Sequence, residues 1–334
     1  MRKRIFTVVL SFALVILASF SAIASELVVY SNWPRDYMDQ LKAFFEEKYP
    51  DVEMTYLRAA GAELATIFNR EMAQGISTAD YIFSDFDYMV GYIENGYIEP
   101  YVPEGMQYMS PGFYDPEGYW FAIDNGPYVI VYNTRFVSPE EAPKTWADLL
   151  DPKWKDAIGI VDPRTAAGVQ TPIRLWTYYL EERIGEPFGW NFIAEMAKLN
   201  PRLASGHRGL MDLVASGEVL IGSEMPISQT IAAINRGEPI GIVWPAEGNA
   251  AVPNTAGIVK NARNIENAKK LHELLASTEG QEFLMSNWGT VPARYDVDWV
   301  TPDGKRISDI DIISIAIPEE VRQETIQRFT ELMD

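Results

Sequence analysis

Leu27-Val28-Val29-Tyr30 opens the stretch, residues 27–85, whose reading decides the fold. The short apolar run is a buried-strand pattern that passes directly into a polar, irregular segment, Ser31-Asn32-Trp33-Pro34. Tyr37, Met38, Leu41, Phe44, Phe45 and Lys48 then recur at helical spacing until Pro50 stops the helix. Val52 to Leu57 predicts a second strand, and Ala60-Gly61-Ala62-Glu63 opens a second helix carrying Leu64, Ile67, Phe68 and Met72. Ala79-Asp80-Tyr81-Ile82-Phe83 predicts a third strand that ends on Ser84-Asp85. Strand, helix, strand, helix, strand is the signature of a largely parallel sheet covered on both faces, so the fold class is α/β. Ligands of such sheets bind beyond the C-terminal strand ends. That makes Ser31, Asn32, Trp33, Gly61, Ala62 and Ser84 candidate contacts.

Farther along, Trp120 to Asn125 leads into Val129-Ile130-Val131-Tyr132-Asn133-Thr134, where the chain crosses to a second α/β unit. Ile158 to Val161, Val219 to Gly222 and Ile240 to Pro245 read as its strands, and Ala204 to Ala215 as a turn and helix. The chain returns at Ala250–Ile258, before a helix over Ile265–Ala276. The expected organisation is residues 25–125 plus 254–334 in lobe 1 and residues 126–253 in lobe 2, with the ligand cleft between them and Asn125 at the crossing. No internal repeat or low-complexity tract interrupts this pattern.

Residues 1–24 read as a signal peptide. Arg2, Lys3 and Arg4 form a positive start, Ile5 to Phe20 is largely apolar, and Ala22-Ile23-Ala24 supplies the small-x-small cleavage pattern. The run is short for a bilayer span. The chain contains no cysteine. A lipid-anchored form would need one just after the signal, so the expectation is a periplasmic protein, not membrane-anchored and monomeric. Losing those three basic residues and no acidic ones moves the formal charge from −19 to about −22. So acidic a surface argues against nucleic acid as a partner. There is no Gly-x-Ser-x-Gly elbow, no cysteine nucleophile and no paired-histidine metal helix. Chance carboxylate pairs such as Asp85 and Asp87 are the best case for an exported hydrolase. The expectation is therefore a binding protein with no catalysis and no cofactor.

The best chemical signal is the small-residue loop Asp162 to Thr171. A helix start leaves N–H groups without partners, and these favour an anion. Thr165, Ala166, Ala167 and Gly168 are the expected contacts, with Arg164 adding charge if it faces the cleft. Glu224 lies just past the predicted strand Val219 to Gly222, where a carboxylate could accept hydrogen bonds from a ligand. Trp33 is placed to stack on a sugar face or an amine. His272 lies mid-helix and reads as structural.

Trp146-Ala147-Asp148-Leu149-Leu150 with Trp154-Lys155 resembles a segment of type II periplasmic solute-binding proteins, the receptors of ATP-binding-cassette importers. So do Val131-Tyr132-Asn133-Thr134, Gly217-Glu218-Val219 and Trp244-Pro245-Ala246-Glu247-Gly248, in the same order. The resemblance covers essentially the mature chain, and its nearest branch is the ferric-iron, thiamine, phosphonate and sugar-phosphate receptors. It implies a two-lobe clamp, a small-molecule ligand and an importer permease as partner. It also places the turn Ser205-Gly206-His207-Arg208-Gly209 at the cleft, so that His207 and Arg208 join the candidate contacts. Iron-binding members carry adjacent tyrosines where this chain has Pro226-Ile227-Ser228-Gln229, which speaks against ferric iron. Tyr178-Tyr179 lies on a helix, where neighbours diverge by about 100°. The resulting expectation is capture of a small organic anion such as a sugar phosphate or phosphonate, with a polyamine or ferric iron as the alternative. Processing after Ala24 is testable directly. N-terminal sequencing of the exported protein should begin at Ser25, and a form retaining Met1 would contradict it.

Overall fold

The computed structural model describes residues 25–124, 126–315 and 319–333. The expected signal peptide and Asn125 lie outside the described residues. The first sheet is built from β1 (Ser25–Ser31), β2 (Val52–Arg58), β3 (Tyr81–Asp85), β4 (Ile98–Glu99), β5 (Phe121–Asp124) and the late strand β12 (Asn254–Val259). Its order is β2-β1-β3-β12-β4, with β5 also pairing with β12. β1 runs parallel to β2 from Ser25 opposite Val52 to Ser31 opposite Arg58, and parallel to β3 through Val29 opposite Tyr81. β12 returns antiparallel.

Local sequence explains the covering helices. In α1 (Arg35–Lys48) Met38, Leu41 and Phe45 fall on one face and are fully buried. In α2 (Gly61–Ala73) Leu64, Ala65 and Phe68 do the same. α3 (Phe86–Glu94) follows β3 without a loop. The far side is closed by α9 (Ile265–Ala276), whose His272 is buried in the first core, with Nδ1 2.9 Å from the Tyr81 hydroxyl. Burial holds that imidazole neutral, its pKa pushed down to about 3.

The second sheet takes β6 (Tyr128–Asn133), β7 (Ile158–Val161), β8 (Arg202–Ala204), β9 (Ile221–Pro226) and β10 (Ile240–Val243) in the order β10-β6-β9-β7-β8. Each sheet has its own hydrophobic core, one built around Trp146, Trp176 and Phe192, the other around Phe45, Phe83 and Phe121. The molecule is thus an α/β protein of two lobes. A small parallel ribbon of β11 (Asn249–Ala251) and β13 (Ile312–Ser314) lies where the chain passes between them. Ala250 packs in the second core and its neighbour Ala251 in the first.

The far C-terminus departs from the expected partition. The chain crosses once more after α10 (Thr278–Trp288), since Val291, Trp299, Ile313 and Ile315 join the second core. α11 (Glu319–Met333) then packs against α4 (Gln170–Arg174) and α6 (Trp190–Ala197) of the second lobe. Phe329 is fully buried there, and the Arg328 guanidinium stacks 4.4 Å from the Trp190 ring. The assignment of 254–334 as a whole to the first lobe is corrected on this point. No helix among the described residues is long and apolar enough to cross a membrane.

Truncating a fully buried phenylalanine costs about 3–5 kcal/mol. Phe329→Ala should therefore destabilise the protein by that order in urea denaturation. Hydrogen exchange should accelerate in α4, α6 and β7 before it does in β1–β3, and uniform acceleration across both sheets would contradict the docking of α11 on the second lobe.

Candidate ligand-binding cleft

Two cavities of about 300 and 270 Å³ share Asp124, Ser228 and Asn254, and together form one cleft between the lobes. The first-lobe wall is made where β1 and β3 end. Asn32 and Trp33 follow β1, and Asp85 ends β3, with Asp87 in the first turn of α3. Asp124, at the end of β5, accepts the Val291 N–H at 2.9 Å, which ties this wall to the third crossing. The second-lobe wall presents Tyr128, Gly168, Thr171 and Ser228. α11 contributes Arg322.

The first-lobe wall is dominated by acceptors. Asn32 Nδ2 donates to Asp85 Oδ1 at 2.9 Å, while Asn32 Oδ1 is buried with no hydrogen-bond partner among the described residues. Burial raises the Asp85 pKa above the ordinary carboxylate value, against the opposing pull of Asn32 and Arg322. The start of α2 stands beside this carboxylate, since a Cβ on Gly61 would lie 3.1 Å from Asp85 Oδ2. Gly61, a candidate contact from sequence, thus lies against the protein's own carboxylate.

The second-lobe wall is neutral and richer in donors. Tyr128 donates its hydroxyl hydrogen to the Gly168 carbonyl at 2.8 Å. α8 (Ile227–Asn235) begins at the cleft with no side-chain cap, and its second residue, Ser228, is exposed into the opening. The Ile227 N–H is taken by the Pro127 carbonyl, so the next first-turn N–H groups are those of Ser228 and Gln229.

The candidate contacts drawn from sequence are distributed as follows. Asn32, Trp33 and Gly168 line the cleft. Ser31 is fully buried and accepts the Trp33 N–H on its hydroxyl, a turn-holding role. Ser84 is buried, with its carbonyl accepting from Thr255. Ala62 is exposed on α2 away from the cavities, and its carbonyl accepts from Thr66.

The loop 162–168 is more self-contained than expected. The Thr165 N–H, the Thr165 hydroxyl and the Ala166 N–H all donate to the Asp162 carbonyl, at 3.1, 3.0 and 3.2 Å. Thr165 and Ala166 line a neighbouring cavity of about 320 Å³, and Arg164 forks onto the Asp162 carboxylate. These donors are committed to the turn, which corrects their reading as anion ligands. Ala167 belongs to the short 3₁₀ turn Ala167–Val169 that precedes α4.

His207 and Arg208 begin α7 (His207–Ser216). The His207 ring lies behind Gly168, 5.5 Å from the Tyr128 ring, and burial pushes its pKa down to about 4. Arg208 is exposed and pairs along the helix with Asp212 at 3.1 Å. Tyr178 is exposed under the Arg174 guanidinium, and Tyr179 packs on the second core, so the adjacent tyrosines lie away from the cleft.

Glu224 is corrected most sharply. β9 runs on to Pro226, so Glu224 sits within the strand and is fully buried. Its Oε1 accepts the Val161 N–H at 2.7 Å, and its Oε2 meets the Ser223 hydroxyl. β7 pairs with β9 only at Ile158 and Gly159. The two side chains therefore satisfy backbone groups where that pairing ends, with Ser223 donating to the Gly159 carbonyl at 3.0 Å. A hydroxyl has one hydrogen, so a protonated Glu224 completes the set by donating to Ser223 Oγ. Burial favours that form and raises the Glu224 pKa to about 8.

The family model of bacterial extracellular solute-binding proteins matches residues 77–311. The chain belongs to that family. An uncharacterized protein of Haemophilus influenzae is 30% identical over 270 residues, 77% of this chain and 74% of that one. A Salmonella typhi protein, provisionally named 2-aminoethylphosphonate-binding and periplasmic, is 29% identical over 173 residues, 50% of this chain and 49% of that one. The Trichodesmium IdiA (FutA) structure in complex with iron and citrate shares the fold with a TM-score of 0.73 at 20% identity, covering 92% of this chain and 99% of that one. The two lobes of this solute-binding protein are thus those of the periplasmic binding fold.

Asp85, at the end of its predicted strand, and Thr171, at the end of the small-residue loop, line the cleft, while sequence reasoning missed Asp124, Ser228, Asn254 and Arg322. For Ser228 a signal existed, since it lies in the segment where iron receptors carry tyrosines. Glu224 supplies a pH test. Its folded pKa lies above the ordinary value, so its favourable contribution is complete below about pH 4.5 and is lost as pH rises toward 8. Glu224→Gln mimics the protonated form. Its melting temperature should match wild type at pH 5 and exceed it at pH 9, and a gap independent of pH would contradict this account.

Proposed function

We propose that this chain is the periplasmic receptor of an ATP-binding-cassette importer, and that it captures a small organic anion that also carries a protonated amine. The observation that carries the reading is the acceptor wall of the first lobe. An ammonium is a donor-only group, and Asp85, Asp124 and the partnerless Asn32 Oδ1 offer it acceptors and opposite charge. The opposite wall suits the acidic end. It has the uncapped start of α8 at Ser228, the Thr171 hydroxyl and, from α11, the Arg322 guanidinium. A short aminoalkyl phosphonate fits that pair of walls, and the Salmonella typhi relative is named for such a compound. Solute binding without turnover accords with the family. The iron reading is favoured less, because the adjacent tyrosines lie away from the cleft.

Ligand bound to the native state stabilises it by RT ln(1 + [L]/Kd), about 2.7 kcal/mol at a hundredfold excess over Kd. In a thermal-shift screen 2-aminoethylphosphonate should raise the melting temperature more than glucose 6-phosphate, spermidine or ferric citrate. Asp85→Asn removes a charge-assisted contact worth about 1.5–3 kcal/mol and should weaken binding roughly ten- to a hundredfold. Ammonium binding requires ionised Asp85, so affinity should fall as pH drops through its raised pKa. Tighter binding of an amine-free sugar phosphate would overturn the amine assignment.

A further inference from the structure

α11 belongs to the second lobe by packing. Phe329 is fully buried in that core, and Arg328 is stacked on Trp190. One turn into the helix, however, Arg322 reaches the other lobe, where its Nη2 donates to Asp87 Oδ2 at the start of α3. The pair is largely shielded, with the two side chains 21% and 13% exposed. Both residues line the main cavity of the cleft, and Arg322 also lines the neighbouring cavity of about 320 Å³ with Tyr88, Thr165 and Gln170. A single guanidinium therefore stands in the wall between two cavities and spans the two lobes.

We propose that the Arg322–Asp87 pair is an interlobe bond that the ligand exchanges, its anionic group taking Arg322 while its ammonium takes the Asp85–Asp87 carboxylates. The inference rests on the reading of the ligand as an amino-substituted anion. Separating a shielded ion pair is strongly unfavourable when it leaves either charge uncompensated. A simple amine would take Asp87 from Arg322 and offer the guanidinium no anion in exchange, and a simple anion would do the reverse. A molecule carrying both charges re-pairs each of them, so the number of ion pairs is conserved across the exchange. The cleft thus selects for the presence of both groups by penalising a ligand that has only one. The exchange also transfers the link between lobes from a protein pair to the ligand, which couples occupancy to hinge position.

The chain lacks cysteine, so Asn69→Cys on α2 and Lys198→Cys after α6 give one spin label on each lobe. In the ligand-free protein, Arg322→Gln should shift the interlobe distance distribution measured by electron–electron double resonance, while Arg322→Lys should keep it near wild type. An unchanged distribution in Arg322→Gln would overturn the interlobe bond. Calorimetry with 2-aminoethylphosphonate, ethylamine and methylphosphonate tests the exchange. Arg322→Gln should weaken 2-aminoethylphosphonate about tenfold or more and tighten ethylamine, which no longer has to take Asp87 from the guanidinium. Equal losses for the two probes, or none, would overturn it. Failure of all three probes on wild type would count against the ligand class and the exchange, while the distance measurement still decides the interlobe bond.

Discussion

Two hydrophobic cores that never merge are the constraint on which this molecule depends. Burial of apolar surface is satisfied within each lobe, by Phe45, Phe83 and Phe121 in one and by Trp146, Trp176 and Phe192 in the other. What remains between them is polar wall, crossed by backbone at residues 124–128, near the ribbon of β11 and β13, and again after α10. Polar walls gain little from meeting each other without a partner that matches their charges. The opening is therefore held by a few directed bonds, among them the Val291 N–H to the Asp124 carboxylate at 2.9 Å, and not by continuous packing.

The charge distribution across the opening follows from where chain elements end. Parallel strands deliver the residues after their last hydrogen-bonded position to one edge, which puts Asn32 and Asp85 side by side although they are 53 residues apart. In the second lobe, β9 passes into α8 through Pro226, and the helix meets the cleft with its N-terminal end. One wall is thus rich in acceptors and the other in donors. Asp85 shows the cost on the acidic side, since burial raises its pKa despite two favourable neighbours. A cation arriving there would offset that desolvation.

Much of the architecture was legible in the sequence because it rests on local periodicity. The strands 27–30, 52–57 and 158–161 and the helix 265–276 are found where apolar spacing placed them. The last strand of the second lobe to touch the site was misjudged at its end. Val219 to Gly222 looked complete, yet β9 runs to Pro226, and four residues decided whether Glu224 faced solvent or the interior. The loop 162–168 read as a ring of donors because composition does not reveal that the Asp162 carbonyl absorbs three of them. Arg322 was invisible for another reason. Nothing in an amphipathic terminal helix states which lobe it docks on, and that is settled only by the pocket that receives Phe329.

The docking of α11 bears on how the polypeptide acquires its shape in time. Phe329 lies in the last helix, and it fills a core whose other members begin at Val129. Chains are made from the N-terminus, so the second lobe lacks that filler until α11 has been added, long after its strands. The first lobe waits too, since β12 enters its sheet between β3 and β4 only after all five strands of the second sheet have been made. Neither half is self-sufficient while the chain is growing. Both lobes are therefore completed late, by contacts far apart in sequence, the kind that form slowly.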